Sequence, residues 1–144
     1  MIFFSCASGK GLSAFESALA KAAGPYHIHA EKDLGVARAA GLHFDSVANQ
    51  VGFTLARNAL LSGSLDKRQR EAQIAAIRTA VQNEIADAKA LFVLAREDPR
   101  IGFEASNQYY YLPLDLVEKV VNCEYILKKW LPQQEAILSE DDAG

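Results

Sequence analysis

The sequence predicts an all-α fold, an antiparallel bundle of about four helices, two of them long. Three observations carry this prediction. Over 31–61 and again over 66–97, apolar residues recur at steps of three and four, the period of one helix face. Ser62-Gly63-Ser64 joins these stretches by a turn short enough to make them antiparallel neighbours. No segment alternates clearly enough to read as a strand.

Each element has its own signal. Ser13 is placed to cap a first helix over 14–23, with Glu16 completing a capping box and Gly24-Pro25 stopping it. A loop through Tyr26, His27 and Ile28 is expected next. The second helix follows, with Phe44, Val47, Val51, Leu55 and Asn58 on one face. Gly35, Gly41 and Gly52 lower its propensity, so either a break near Gly41 or a close approach by a neighbouring helix is open. In the third helix Ile74, Ile77, Val81, Ile85, Ala88, Phe92 and Ala95 form the buried stripe. Its charged residues, Glu84 among them, are expected in solvent. Ser64 or Asp66 caps its start, and Pro99 lies just past its end. Pro113 suits the first turn of a fourth helix, whose Leu116, Val120, Cys123, Leu127 and Trp130 face one way before Pro132 ends or kinks it.

Composition narrows the function classes. The chain has 144 residues, half of them hydrophobic and 23% charged, which suits one globular domain and argues against disorder. A net charge of -3 gives no basic face for nucleic acid. The apolar opening over 1–7 falls short of the roughly 20 residues of a membrane span and lacks the basic leader of a secretory signal. The expected organisation is therefore an apolar lead-in over 1–10, a remnant of a preceding domain, then a bundle over 11–131 and a polar acidic tail over 132–144. The compartment stays open. Ser8-Gly9-Lys10-Gly11 is not a phosphate loop, because the earlier glycine is missing and Gly11 stands where a hydroxyl would hold magnesium. His27, His29 and His43 complete no metal spacing, the alternation of the first two suiting an extended stretch, and no cofactor is implied. Cys6 and Cys123 are expected to be free thiols.

Two groups of residues could carry function. The loop 98–111 places Arg100, Glu104, Asn107, Tyr109 and Tyr110 between two helices. Aromatic faces beside amides and carboxylates suit sugar recognition, where rings stack on pyranose faces and polar groups meet hydroxyls. The same residues also suit a connection that packs over the bundle end, with Glu104 pairing Arg100. The second group, His43, Gln50 and Arg57, is spaced by seven and forms a polar ridge on the second helix. A catalytic His43 would need a carboxylate or nucleophile that the sequence does not show nearby. A ridge that hydrogen-bonds a neighbouring helix or another domain is the plainer reading.

The string Asp98-Pro99-Arg100-Ile101-Gly102-Phe103-Glu104-Ala105-Ser106 is followed by Asn107, the tyrosines, Asp115-Leu116-Val117-Glu118-Lys119 and Asn122-Cys123. It resembles the C-terminal helical region of large bacterial glycoside-hydrolase-like proteins, which carry a hexosaminidase- or glucuronidase-like (β/α)8 barrel ahead of the helices. The run from His43 to Gln50, ending in Arg57, is similar to the long helix that precedes that string. The resemblance implies that the catalytic carboxylates lie in the barrel, so none is carried onto this chain. It implies an accessory bundle that packs on the barrel and lends Glu104, Asn107 or Tyr109 to one side of a sugar cleft.

Three functions compete: this non-catalytic module of a carbohydrate-processing protein, a stand-alone helical protein that binds a partner or dimerises through its apolar stripes, and a small enzyme. The last has least support, since no nucleophile–base pair is visible.

Overall fold

The computed structural model describes residues 2–104, 108–109 and 112–140; side chains are described over 9–102 and 112–137. The architecture is the expected all-α bundle. Its helices are α1 (Ile2–Leu19), α2 (Pro25–Leu61), α3 (Lys67–Glu97), α4 (Pro113–Tyr125) and α5 (Leu131–Glu140). A π-helical turn, Ile126–Trp130, joins the last two. Between α3 and α4 sits a small antiparallel hairpin, β1 (Phe103–Glu104) with β2 (Gln108–Tyr109), where the sequence signals no strand.

The beginning of the chain differs most from expectation. Ser13 does not cap α1; it lies inside it, its carbonyl accepting a hydrogen bond from the Ser17 hydroxyl at 2.8 Å. The helix begins at Ile2 because small and apolar residues continue its pattern backward through Gly9 and Gly11. Pro25 opens α2 rather than merely closing α1, since its fixed φ suits a first helical position. Gly24 turns the chain there with φ 73°, a left-handed conformation that favours glycine. Tyr26, His27, Ile28 and His29 therefore stand on helix, not in a loop or an extended stretch.

α2 runs its 37 residues without a break at Gly41. A Cβ added there would lie 3.4 Å from Leu12 Cδ1 of α1, so this glycine admits a close neighbour. α3 starts as the sequence indicates: Asp66 accepts from the Gln69 amide at 2.8 Å, and the Gln69 side chain accepts from the Asp66 amide at 3.0 Å. Pro132 does not end the last helix. A proline lacks an amide and its ring crowds the carbonyl four residues back. Just ahead of it the backbone has widened to a π turn, with the Leu131 amide reaching the Ile126 carbonyl five residues earlier. The stretch read as the start of a polar tail is accordingly helix to Glu140.

α3 is the central element. α2 and α4 both pack against it, α5 returns to it, and α1 packs on α2. Arg78 of α3 and Glu135 of α5 pair at 2.5 Å on that seam. The core falls into two apolar clusters. One gathers Ile74, Ile77 and Val81 with Cys123 and Leu131. The other gathers Ala88 and Leu91 with Ala39, Leu116 and Ile101, which anchors the loop after α3.

Two expected faces need correction. On α2 the expected apolar face points outward: Phe44 is 51% exposed and Leu55 66%. The buried face of α2 instead mixes small residues, Ala39, Ser46 and Ala56, with Leu34 and Leu60. On α3, Leu91 is buried while Phe92 and Ala95 lie at the edge of the core, and Glu84 is buried within the stripe.

Candidate functional site: a buried polar layer and its groove

Glu84 stands one turn from both Val81 and Ala88, in phase with the buried stripe, and only 7% of it is exposed. It separates the two apolar clusters. A lone carboxylate in such a place would carry a large desolvation cost, so its partners decide whether the arrangement is tolerable. Lys119 of α4 brings its ammonium to 2.7 Å from Glu84 Oε1. The Ser46 hydroxyl of α2 donates to the same oxygen at 2.6 Å. Gln50 Nε2 donates to Ser46 Oγ at 3.0 Å, and Asn49 Nδ2 donates to Asp87 Oδ2 at 2.9 Å and to Glu84 Oε2 at 3.4 Å. Three helices are tied through one carboxylate.

Ser46 Oγ and Lys119 Nζ lie 3.2 Å apart, a spacing that would interest a nucleophile–base reading. Here Lys119 is engaged as the counter-ion of Glu84, and Ser46 gives its proton to that carboxylate. The trio works as a clasp. Around it the field is negative: burial first, then Asp45 and Glu84, hold the Asp87 carboxyl above the usual carboxylate range. Burial likewise pushes the thiol of the free Cys123 up, with the Glu84 charge adding to it.

Beside the layer, between α2 and α4, lies a groove of about 490 Å³ with α3 as its floor. Phe53, Val81 and Ile126 give it apolar walls. Glu118 and Asn122 stand exposed at its α4 edge, Gln50 and Thr54 at its α2 edge. The π turn begins at Ile126, so the irregular stretch of the last helix falls at one end of this groove.

The expected site residues divide. Of the ridge, Gln50 joins the layer, its Nε2 also donating to Glu84 Oε1 of the neighbouring helix at 3.4 Å. Arg57 stays on α2, its guanidinium 5.7 Å from the Phe53 ring centroid and its Nη2 donating to Asn58 Oδ1 at 3.1 Å. The His43 ring lies edge-on to Phe44 at 6.0 Å between centroids. The ridge is thus split by what each side chain reaches. In the loop, Arg100 pairs with Asp98 at 2.7 Å and with Asp33 of α2 at 3.4 Å, tethering the start of the loop to the bundle. That hydrogen bonding holds the Asp98 carboxyl below its usual range. Glu104 and Tyr109 stand on the two strands of the hairpin, Glu104 opposite Gln108 and Tyr109 opposite Phe103, and their side chains lie outside the described ones. Asn107 and Tyr110 lie outside the described residues altogether.

Glu84 and Lys119 were not singled out by sequence reasoning. The signal for Glu84 was its phase: a charged residue at the spacing of Ile77, Val81, Ala88 and Leu91 belongs to the buried face. Among the described residues, no group of three or more histidine, cysteine or acidic side chains is placed to hold a metal ion. Nor is any helix among them long and apolar enough to cross a membrane. Comparison with protein families, with curated proteins and with solved structures finds no match to this chain.

Proposed function

We propose that this chain is a non-catalytic packing module, a helical bundle that offers apolar helix faces to a second folded unit. One observation carries the reading. On α4, Leu114, Val117, Val121 and Tyr125 follow one another at helical spacing on the face turned away from α3, and the last two are 61% and 64% exposed. The resemblance to the helical region of glycoside-hydrolase-like proteins implies a (β/α)8 barrel as that second unit. On this reading the loop carrying Arg100, Glu104, Asn107, Tyr109 and Tyr110 borders the sugar cleft of the pair. The self-satisfied clasp at Glu84 supports a structural role for the chain's most deeply placed polar groups.

The same α4 face also favours a second reading, pairing of two copies of a stand-alone protein. Light scattering across a range of concentrations separates the two. A packing module deprived of its partner associates weakly, without a fixed stoichiometry, and replacing Val121 and Tyr125 by serine returns it to a monomer with an unchanged melting temperature. A defined dimer supports the second reading. A monomer that stays monomeric at every concentration and binds no hydrophobic dye, or one that hydrolyses aryl hexosaminides or glucuronides by itself, overturns the module.

A further inference from the structure

The groove between α2 and α4 is placed to receive something more specific than an apolar surface. α2 and α4 both pack on α3, yet no Cα of one comes within 8 Å of a Cα of the other, so an open trough runs between them. Its shoulders are apolar on both sides. On α2 the exposed or half-buried Val47 and Val51 stand three residues before Gln50 and Thr54, next to them on the helix surface. On α4, Val121 and Tyr125 stand three residues after Glu118 and Asn122.

The charge inside the trough is unbalanced. It is lined by three carboxylates, Glu84, Asp115 and Glu118, against the one ammonium of Lys119. Lys119 is taken by Glu84. The Asp115 carboxylate accepts from the Leu112 amide at 2.6 Å, which brings it no positive charge. Glu118 is exposed, and among the described residues no cation pairs with it. A side chain that fits this trough has a long apolar stem for Phe53 and Ile126 and a cationic end for Glu118, which is the anatomy of lysine and arginine.

We propose that the trough is the docking site for an amphipathic helix of a partner protein, with a lysine or arginine at the centre of its apolar face. The basic side chain enters between α2 and α4 and ends at Glu118. Flanking apolar residues of the same helix rest on Val47 and Val51 on one shoulder and on Val121 and Tyr125 on the other. This rests on the packing-module reading and gives the chemistry of the partner's contact.

Three synthetic helical peptides of one leucine–alanine sequence, differing only in lysine, glutamate or norleucine at the centre of the apolar face, test it on the isotope-labelled whole chain. The lysine peptide is expected to shift the amides of Gln50, Thr54, Glu118 and Asn122 and to bind about ten-fold tighter than the glutamate peptide, about 1.4 kcal/mol. Added salt and the Glu118→Gln variant each shrink that preference. Equal binding of the three peptides in the trough overturns the basic anchor while leaving the packing module standing. Binding confined to other faces of α4 overturns the trough as the site, again leaving the module. No binding by any peptide, together with a strict monomer, ends both.

Discussion

α4 carries two apolar stripes of similar length, and only one is covered. Leu116, Val120 and Cys123 turn toward α3, where Leu116 is 2% exposed. Leu114, Val117, Val121 and Tyr125 turn away, with Leu114 65% exposed. Both stripes keep the helical period, so periodicity cannot choose between them. In the rotation observed, Lys119 flanks the inner stripe and reaches Glu84. A charge with one buried counter-ion fixes the rotation of a helix more sharply than exchangeable aliphatic side chains do.

The comparison breaks first at the clasp. Glu84→Ala leaves Lys119 and Ser46 without their shared acceptor and is expected to cost about 3–5 kcal/mol in denaturant unfolding. The double replacement Glu84→Leu with Lys119→Met should recover most of that stability, since an apolar pair of similar volume often matches a buried ion pair. If the double variant stays folded but shows altered amide exchange along α4, the ion pair sets the rotation of the helix. Unchanged exchange would mean that packing alone sets it.

The two stripes themselves give the next contrast. Leu116→Ala should lose about 2–5 kcal/mol, the range for emptying a buried leucine site, whereas Val117→Ala next to it should stay within about 0.5 kcal/mol. Comparable losses at both positions would show that the outer stripe is covered in solution.

The smallest effect concerns pH. Asp87 titrates higher in the folded chain than in the unfolded one, so the folded state holds its proton more tightly. That group therefore lowers stability as pH rises from the unfolded value near 3.8 through the folded one. Asp87→Asn should flatten the stability profile in that interval and raise stability at neutral pH by about 0.5 kcal/mol or less, because a half-buried group is screened by solvent. The asparagine oxygen still accepts from Asn49, which keeps the hydrogen bond. A steeper profile in the variant would contradict the assignment.

Much of the fold was legible residue by residue. Asp66, Ser62-Gly63-Ser64 and Pro113 each act within a few residues of themselves, so their signals survive whatever the rest of the chain does. The long stripe of α3 was legible for a related reason: a central helix buries the face that its own period defines. α2 was misread because the apolar residues that recur most regularly along it face out, while the buried face mixes Ala39, Ser46 and Ala56 with Leu34 and Leu60. The size of a side chain says how much it gains from burial, and it does not say how near the neighbouring helix comes. The start of α1 was hidden by glycines and a serine that ordinarily end or cap a helix.

Of the candidate site, Gln50 was legible as part of a ridge, and Glu84 was in plain view but assigned to solvent. A charge in the phase of an apolar stripe is ambiguous until its counter-ion is known, and Lys119 lies 35 residues away. Sequence alone therefore determined the helical class, the turn at Ser62-Gly63-Ser64 and the cap at Asp66, because those depend on interactions spanning four residues or fewer. Tertiary structure decided which apolar stripes are covered, where the buried charge finds its partners and that a trough stays open between α2 and α4. Each of those depends on a free energy shared between helices, and no single helix carries that information.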